Sequence, residues 1–297
     1  MAAWTHREAS VDGIRLHYVE AGDADDPLVV LLHGFPEFWY SWRDQLPALA
    51  DAGFHVVAPD MRGYNASEKP HGVSAYGMDE LVGDVVGLLD HFGSDAAHVV
   101  GHDWGGVVAW SVAIRYPERV DRLGALNAPH PGRFREVVRT PEQLRRSWYM
   151  FAFQVPWLPE ALLGSRDCAA IPEMLRGSAA TPDAFDERDL RRYREAACRP
   201  GALGAAINYY RAAFRDEVRR EVGALLGDRR ESPTVAVPTL LVWGERDPAL
   251  GTELTDGLER WVPDLRVERL PDASHWVQND QPERVNELLT RFLRTAE

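Results

Sequence analysis

The chain predicts an α/β fold: a mostly parallel sheet with helices on both faces and a helical segment inserted between strands. Three observations carry this. Apolar runs of strand length alternate with helical patterns up to about residue 130, and a block of about 100 residues then reads as helix without a strand. Strand signals return with "VPTLLVWGERD" (237–247).

The elements follow in order. "IRLHYVEAG" (14–22) alternates polar and apolar residues as a half-exposed strand does. "PLVVLLHG" (27–34) and "HVVAPD" (55–60) are continuous apolar runs, as in parallel strands buried on both faces. Between them, "FWYSWRDQLPALADAG" carries a helical pattern that ends in Gly53. "MDELVGDVVGLLDHFG" (78–93) puts Leu81, Val82, Val85, Leu88 and Leu89 on one helical face, with Gly93 as the stop. "AHVVG" (97–101) is a strand, "GVVAWSVAIRYPERV" (106–120) a buried helix stopped by Pro117, and "RLGALNAP" (122–129) another strand. Residues 131 to 235 are helical, rich in Arg, Ala and aromatics, and punctuated by breakers such as "VPWLPE" and "CRPGALG". Strands at 237–247 and 265–275 follow, with helices at 250–261 and 282–295. The expected division is a core over 1–131, a helical cap over 132–235, and the core again over 236–297.

Composition removes several classes. A formal charge of −13 argues against nucleic acid, which needs a basic face. No run of about 18 apolar residues could span a membrane. "MAAWTHREASVDG" has no apolar stretch of the secretory kind. Cys168 and Cys198 are the only cysteines, 30 residues apart and without metal-ligand spacing, so two reduced thiols in a cytoplasmic protein are expected. Neither a metal nor an organic cofactor is implied. No coiled-coil seam marks an oligomer, leaving monomer or homodimer open.

Ligands of an open parallel sheet bind beyond the carboxyl ends of its strands. The polar residues there are His33, Asp60, Asp103, Asn127, Asp247 and His275. "GHDWGG" has the G-x-nucleophile-x-G frame of a nucleophile elbow, with Gly101 and Gly105 around Asp103. A strand-to-helix Asp could equally be a helix cap. Two further residues favour the elbow, because Asp247 and His275 follow the next two strands in the nucleophile–acid–histidine order of the α/β-hydrolase fold. "HGFP" (33–36) follows the strand where that fold supplies half of an oxyanion hole, so the donors would be the backbone N–H groups of Phe35 and Trp104. His33 and Asp60 read as loop braces, and the His102 side chain should point away from the reaction.

An aspartate is a poor attacker of amides and a good one at saturated carbon, where it forms an alkyl ester. His275 would then activate water against that ester, held by Asp247. The leaving group separates the possibilities. Halide needs only weak N–H donors, whereas an epoxide oxygen needs a proton, which tyrosine can supply.

The motifs "HGFPEFWYSWR", "DMRGYNAS", "GHDWGG", "LNAPHP", "WGERD" and "SHWVQNDQPE" resemble the soluble epoxide hydrolases of the α/β-hydrolase superfamily over nearly the whole chain. Haloalkane dehalogenases share these motifs in part and are the alternative. The insert discriminates. "WYMFAFQVP" (148–156) resembles that family's first lid-tyrosine segment, which implies Tyr149, and "GALGAAINYYRAAFR" (201–215) the second, which implies Tyr210. Tyr193 and Tyr209 are the possible decoys. The resemblance implies hydrolysis of a small apolar epoxide to a vicinal diol. Phe35, Trp104, Phe151, Trp276 and the other aromatics of "SWYMFAFQVPWL" would wall the pocket.

Overall fold

A computed structural model describes residues 4–225 and 233–294, with backbone only for 222–225. Its first half runs β1 (Thr5–Val11), β2 (Ile14–Ala21), β3 (Leu28–Leu32), α1 (Gln45–Asp51), β4 (His55–Pro59), α2 (Met78–His91), β5 (Ala97–His102), α3 (Trp104–Arg115) and β6 (Val120–Leu126). Seven helices follow without a strand: α4 (Pro131–Val137), α5 (Pro141–Arg146), α6 (Trp148–Ala152), α7 (Leu158–Cys168), α8 (Ala170–Ser178), α9 (Glu187–Ala197) and α10 (Ala202–Leu225). The chain then returns to the sheet with β7 (Thr239–Gly244) and β8 (Leu265–Leu270), and closes with α11 (Val277–Asp280) and α12 (Pro282–Leu293).

The eight strands form one sheet in the order β1-β2-β4-β3-β5-β6-β7-β8. β2 pairs antiparallel with β1 and β4, and every pairing from β4 through β3 to β8 is parallel. Side chains alternate across a strand. Val30 and Leu32 therefore join the apolar cluster of α2 and α3, while Val29 and Leu31 join that of α1 and α12. This is why β3, β4, β5 and β7 are buried at every position and read as unbroken apolar runs.

Two expectations need correcting, and one strand was not expected. β1 carries exposed residues at five of seven positions on an antiparallel edge, so its polar sequence gave no strand signal. The helix expected over 250–261 is one short turn at Thr252–Thr255. Cys168 and Cys198 are not reduced thiols but a disulfide, with sulfurs 2.07 Å apart. The reason is topological. The C-terminal ends of α7 and α9 meet with Cα atoms 5.9 Å apart, within the ordinary span of a disulfide. The helix expected to reach residue 295 runs to Leu293, and position 295 lies outside the described residues.

Candidate active site

Strand β5 ends and helix α3 begins at Asp103, whose φ of 48° and ψ of −118° are a strained combination for a residue with a Cβ. Small neighbours make that turn possible. A Cβ on Gly101 would meet Gly105 O at 2.3 Å, and one on Gly105 would meet Leu32 O at 2.1 Å. The Asp103 side chain makes no capping hydrogen bond to its own helix, so the helix-cap alternative fails. Its Oδ2 instead accepts from the Phe35 backbone N–H at 2.9 Å. Trp104 is the first residue of α3, and its N–H is one of the donors a helix start leaves unpaired.

Beyond β7 and β8 stand the acid and the histidine. His275 Nδ1 donates to Asp247 Oδ2 at 2.6 Å, and Nε2 lies 3.8 Å from Asp103 Oδ1. Asp247 is buried and has three further donors to spread its charge over. Asn127 Nδ2 reaches Oδ2 at 2.7 Å, and the backbone N–H groups of Ala249 and Leu250 reach Oδ1 at 2.8 and 2.9 Å. Burial pushes the Asp247 carboxyl up, but His275, Asn127 and these amides hold it below the usual carboxylate range. Burial works to lower His275, and the Asp247 and Asp103 carboxylates outweigh it, pushing the imidazole up to about 9.

The insert lays two phenols over this group. Tyr149 on α6 and Tyr210 on α10 have ring centroids 5.9 Å apart, and Tyr210 stands 5.0 Å from Trp104 and 5.5 Å from Phe35. Burial raises both hydroxyls above the ordinary phenol range, and the Asp103 charge raises them further, so both stay protonated. Gln154 Nε2 ties the two segments together through Met150 O and Tyr210 O.

A family model described as the alpha/beta hydrolase fold matches residues 27–282. The chain is 41% identical to the AB hydrolase superfamily protein YfhM of Bacillus subtilis, over 96% of each chain. It is 37% identical to Epoxide hydrolase A of Mycobacterium tuberculosis, over 100% of this chain and 99% of that one. Among solved structures, Epoxide Hydrolase A from Mycobacterium thermoresistibile superposes with a TM-score of 0.85 at 34% identity, over 99% of both chains. The chain belongs to the epoxide hydrolases of the α/β-hydrolase superfamily.

In this epoxide hydrolase the decoy tyrosines lie elsewhere. Tyr209 donates its hydroxyl to Arg62 O at 2.7 Å, and Tyr193 is buried against Phe38, Tyr40 and Phe185. The wall aromatics are redistributed. Phe151, like Trp148 and Trp157, is exposed, and Phe153 takes the place expected of it, with its ring 4.9 Å from Tyr210 and 5.6 Å from Phe35. The cause is helical spacing. Phe153 lies four residues after Tyr149 and shares its face, while Phe151 points outward. Trp276 stacks edge-on against His275 at 4.9 Å and gives its indole N–H to Ser178 Oγ, which makes it a buttress of the His275 loop.

His33 and Asp60 brace loops as expected. His33 Nε2 accepts from Met61 N at 2.9 Å, and Asp60 gathers Trp39 N, Asn65 Nδ2, Ala66 N and His17 Nδ1. The residue that reading the sequence missed is Glu37, fully buried four positions after His33. Its Oε2 accepts from Gly34 N at 2.9 Å and from His102 Nδ1 at 2.7 Å, and its Oε1 from Gln278 Nε2 at 3.0 Å. His102 Nε2 meets the His275 carbonyl at 2.8 Å. Both ring nitrogens of His102 thus face oxygens, one of Glu37 and one of the His275 carbonyl. Burial opposes the Glu37 charge, yet His102 and the Gly34 N–H hold its pKa below the ordinary value. The pair joins the loop that carries Phe35 to the loop that carries His275. The only signal for it was an acidic residue inside an otherwise apolar "HGFPEFW".

Proposed function

We propose that this epoxide hydrolase opens an apolar epoxide by attack of Asp103 on a ring carbon and hydrolyses the resulting ester with water activated by His275. In the first half-reaction Asp103 Oδ1 bonds to carbon and the carbon–oxygen bond breaks. The leaving oxygen takes a proton from one of Tyr149 and Tyr210 while hydrogen-bonded to the other. Help of this kind is worth about 10²–10⁴ in rate. Esterification removes the Asp103 charge and with it one of the two nearest carboxylates that hold the His275 proton. That proton returns through solvent to the tyrosinate, leaving a neutral imidazole.

In the second half-reaction water attacks the Asp103 carbonyl carbon and gives its proton to His275. Charge develops on Oδ2, beside the Phe35 and Trp104 N–H groups. Collapse releases the vicinal diol and restores the carboxylate and the imidazolium, so epoxide and water are the only reactants consumed. Asp247 stabilises the imidazolium throughout.

The observation that carries this reading is the placement of two protonated phenols over one carboxylate, between Phe35 and Trp104. The insert supplies both, which supports treating 132–235 as a cap over a core of 1–131 and 236–297. Incubation with styrene oxide and, separately, with a bromoalkane tests it. Diol from the first without bromide from the second is the expected result. Bromide release without diol overturns the assignment in favour of a haloalkane dehalogenase.

A further inference from the structure

The outer side of the α5–α7 segment is apolar. Trp148, Phe151, Trp157 and Leu162 are 66%, 52%, 77% and 62% exposed, with Leu144 and Leu158 beside them at 39% and 43%. Trp148 and Phe151 are three residues apart on α6 and share one face, opposite the inward Tyr149 and Phe153. The backbone beneath is tied down. Arg211 donates to Phe153 O, Val155 O and the Glu160 carboxylate. The three aromatics alone expose roughly 400 Å², and the leucines add to it.

Its rim carries unpaired basic charge in an acidic chain. Residues 139–167 contain four arginines and three acidic residues, a balance of +1 against −13 overall. Arg139, Arg146 and all three acidic residues are paired. Arg145 and Arg166 are exposed and have no acidic partner among the described residues. A second copy meeting this face through a two-fold axis would set the same basic rim against itself. An anionic bilayer meets both features, since tryptophans settle at headgroup level and arginines pair with lipid phosphates.

We propose that this face docks the protein on an anionic lipid surface. Trp148 adjoins Tyr149 in the chain, so docking brings the insert's half of the site to the phase in which apolar epoxides dissolve. That consequence rests on the proposed reaction, whereas vesicle binding is measured without it.

Co-sedimentation and tryptophan emission with phosphatidylcholine–phosphatidylglycerol vesicles test the docking. Binding with a blue shift is expected, weaker on phosphatidylcholine alone and in high salt. Trp148→Ser/Trp157→Asn/Leu162→Ser should weaken it at least about tenfold while leaving styrene oxide turnover intact. Arg145→Glu/Arg166→Glu, which disturbs no apolar packing, should remove the preference for phosphatidylglycerol and serves if the triple variant does not fold. No binding by the parent protein, an unchanged preference in the charge variant, or full binding by a folded triple variant overturns the proposal. A parent dimer that becomes monomer in the triple variant, with no vesicle binding in either, assigns the face to self-association instead.

Discussion

His275 Nε2 stands 3.8 Å from Asp103 Oδ1, beyond hydrogen-bond reach. A histidine that activates a serine must touch it. A carboxylate nucleophile needs no deprotonation, and this separation leaves the imidazole free to serve a water instead. In the proposed reaction the two residues act in successive half-reactions.

Loss of either phenol should slow ring opening and spare ester hydrolysis. Tyr149→Phe and Tyr210→Phe should each lower single-turnover alkylation by about 10²-fold or less, because the other remains, and the double change should approach the full 10⁴. Stopped-flow tryptophan fluorescence reads the alkylation phase directly. A double variant that alkylates at the parent rate would move the acid elsewhere.

The proton on His275 depends on its neighbours' charges. Its folded value of about 9 exceeds the ordinary 6.5, so its contribution to stability is complete below 6.5 and is lost as pH rises toward 9. Asp247 is depressed from 3.8, so its contribution is present above that value and is lost as pH falls through its lower folded value. Melting temperature should hold between about pH 4 and 6.5 and decline toward pH 9. Asp103→Asn removes a carboxylate that supports the imidazolium, so His275 should titrate below 9 in that variant by NMR. An unshifted His275 would mean that esterification does not release the base.

Glu37 and His102 form a buried hydrogen-bonded pair between the loop that carries Phe35 and the loop that carries His275. Glu37→Gln replaces the buried carboxylate that accepts from Gly34 N and meets His102 Nδ1, which should cost about 1–3 kcal/mol in denaturant unfolding. It should also slow ester hydrolysis more than alkylation, because His102 holds the His275 backbone. Equal slowing of both phases would make the pair a general support only.

The disulfide closes a ring whose members support the His275 loop. Between Cys168 and Cys198 lie Ser178, which holds the Trp276 indole, and Ala180 and Thr181, whose N–H groups bind Asp280. Asp280 in turn holds Ser274. A bridge spanning 30 residues contributes about 3–4 kcal/mol in the chain-entropy account. Cys168→Ser/Cys198→Ser should therefore melt roughly 5–15 °C lower. Two alkylatable thiols in the denatured, unreduced protein would show that the bridge does not form.

What could be read from the sequence divides along physical lines. Asp103 and Asp247 could be picked out because each follows a buried strand, and an unbroken apolar run ending in a polar residue is a local signal; His275 follows the mostly unburied β8 and was picked out only by its order after them. Tyr149 and Tyr210 were legible only through resemblance, since a helical tyrosine has no local mark that sets it apart from Tyr209, which the fold turns toward Arg62 O. Phe153 was missed for Phe151 because helix phase inside a five-residue segment depends on where the turn begins. The disulfide and the Glu37–His102 pair join residues 30 and 65 positions apart, and only the packed chain brings such partners together.

The most direct test of the central claim is the mass of His275→Gln after incubation with an epoxide. This variant keeps Asp103 and both tyrosines but cannot activate water, so the protein should gain the mass of one substrate molecule, on the peptide that contains Asp103. Loss of activity with no adduct, or an adduct on any other peptide, would contradict the account.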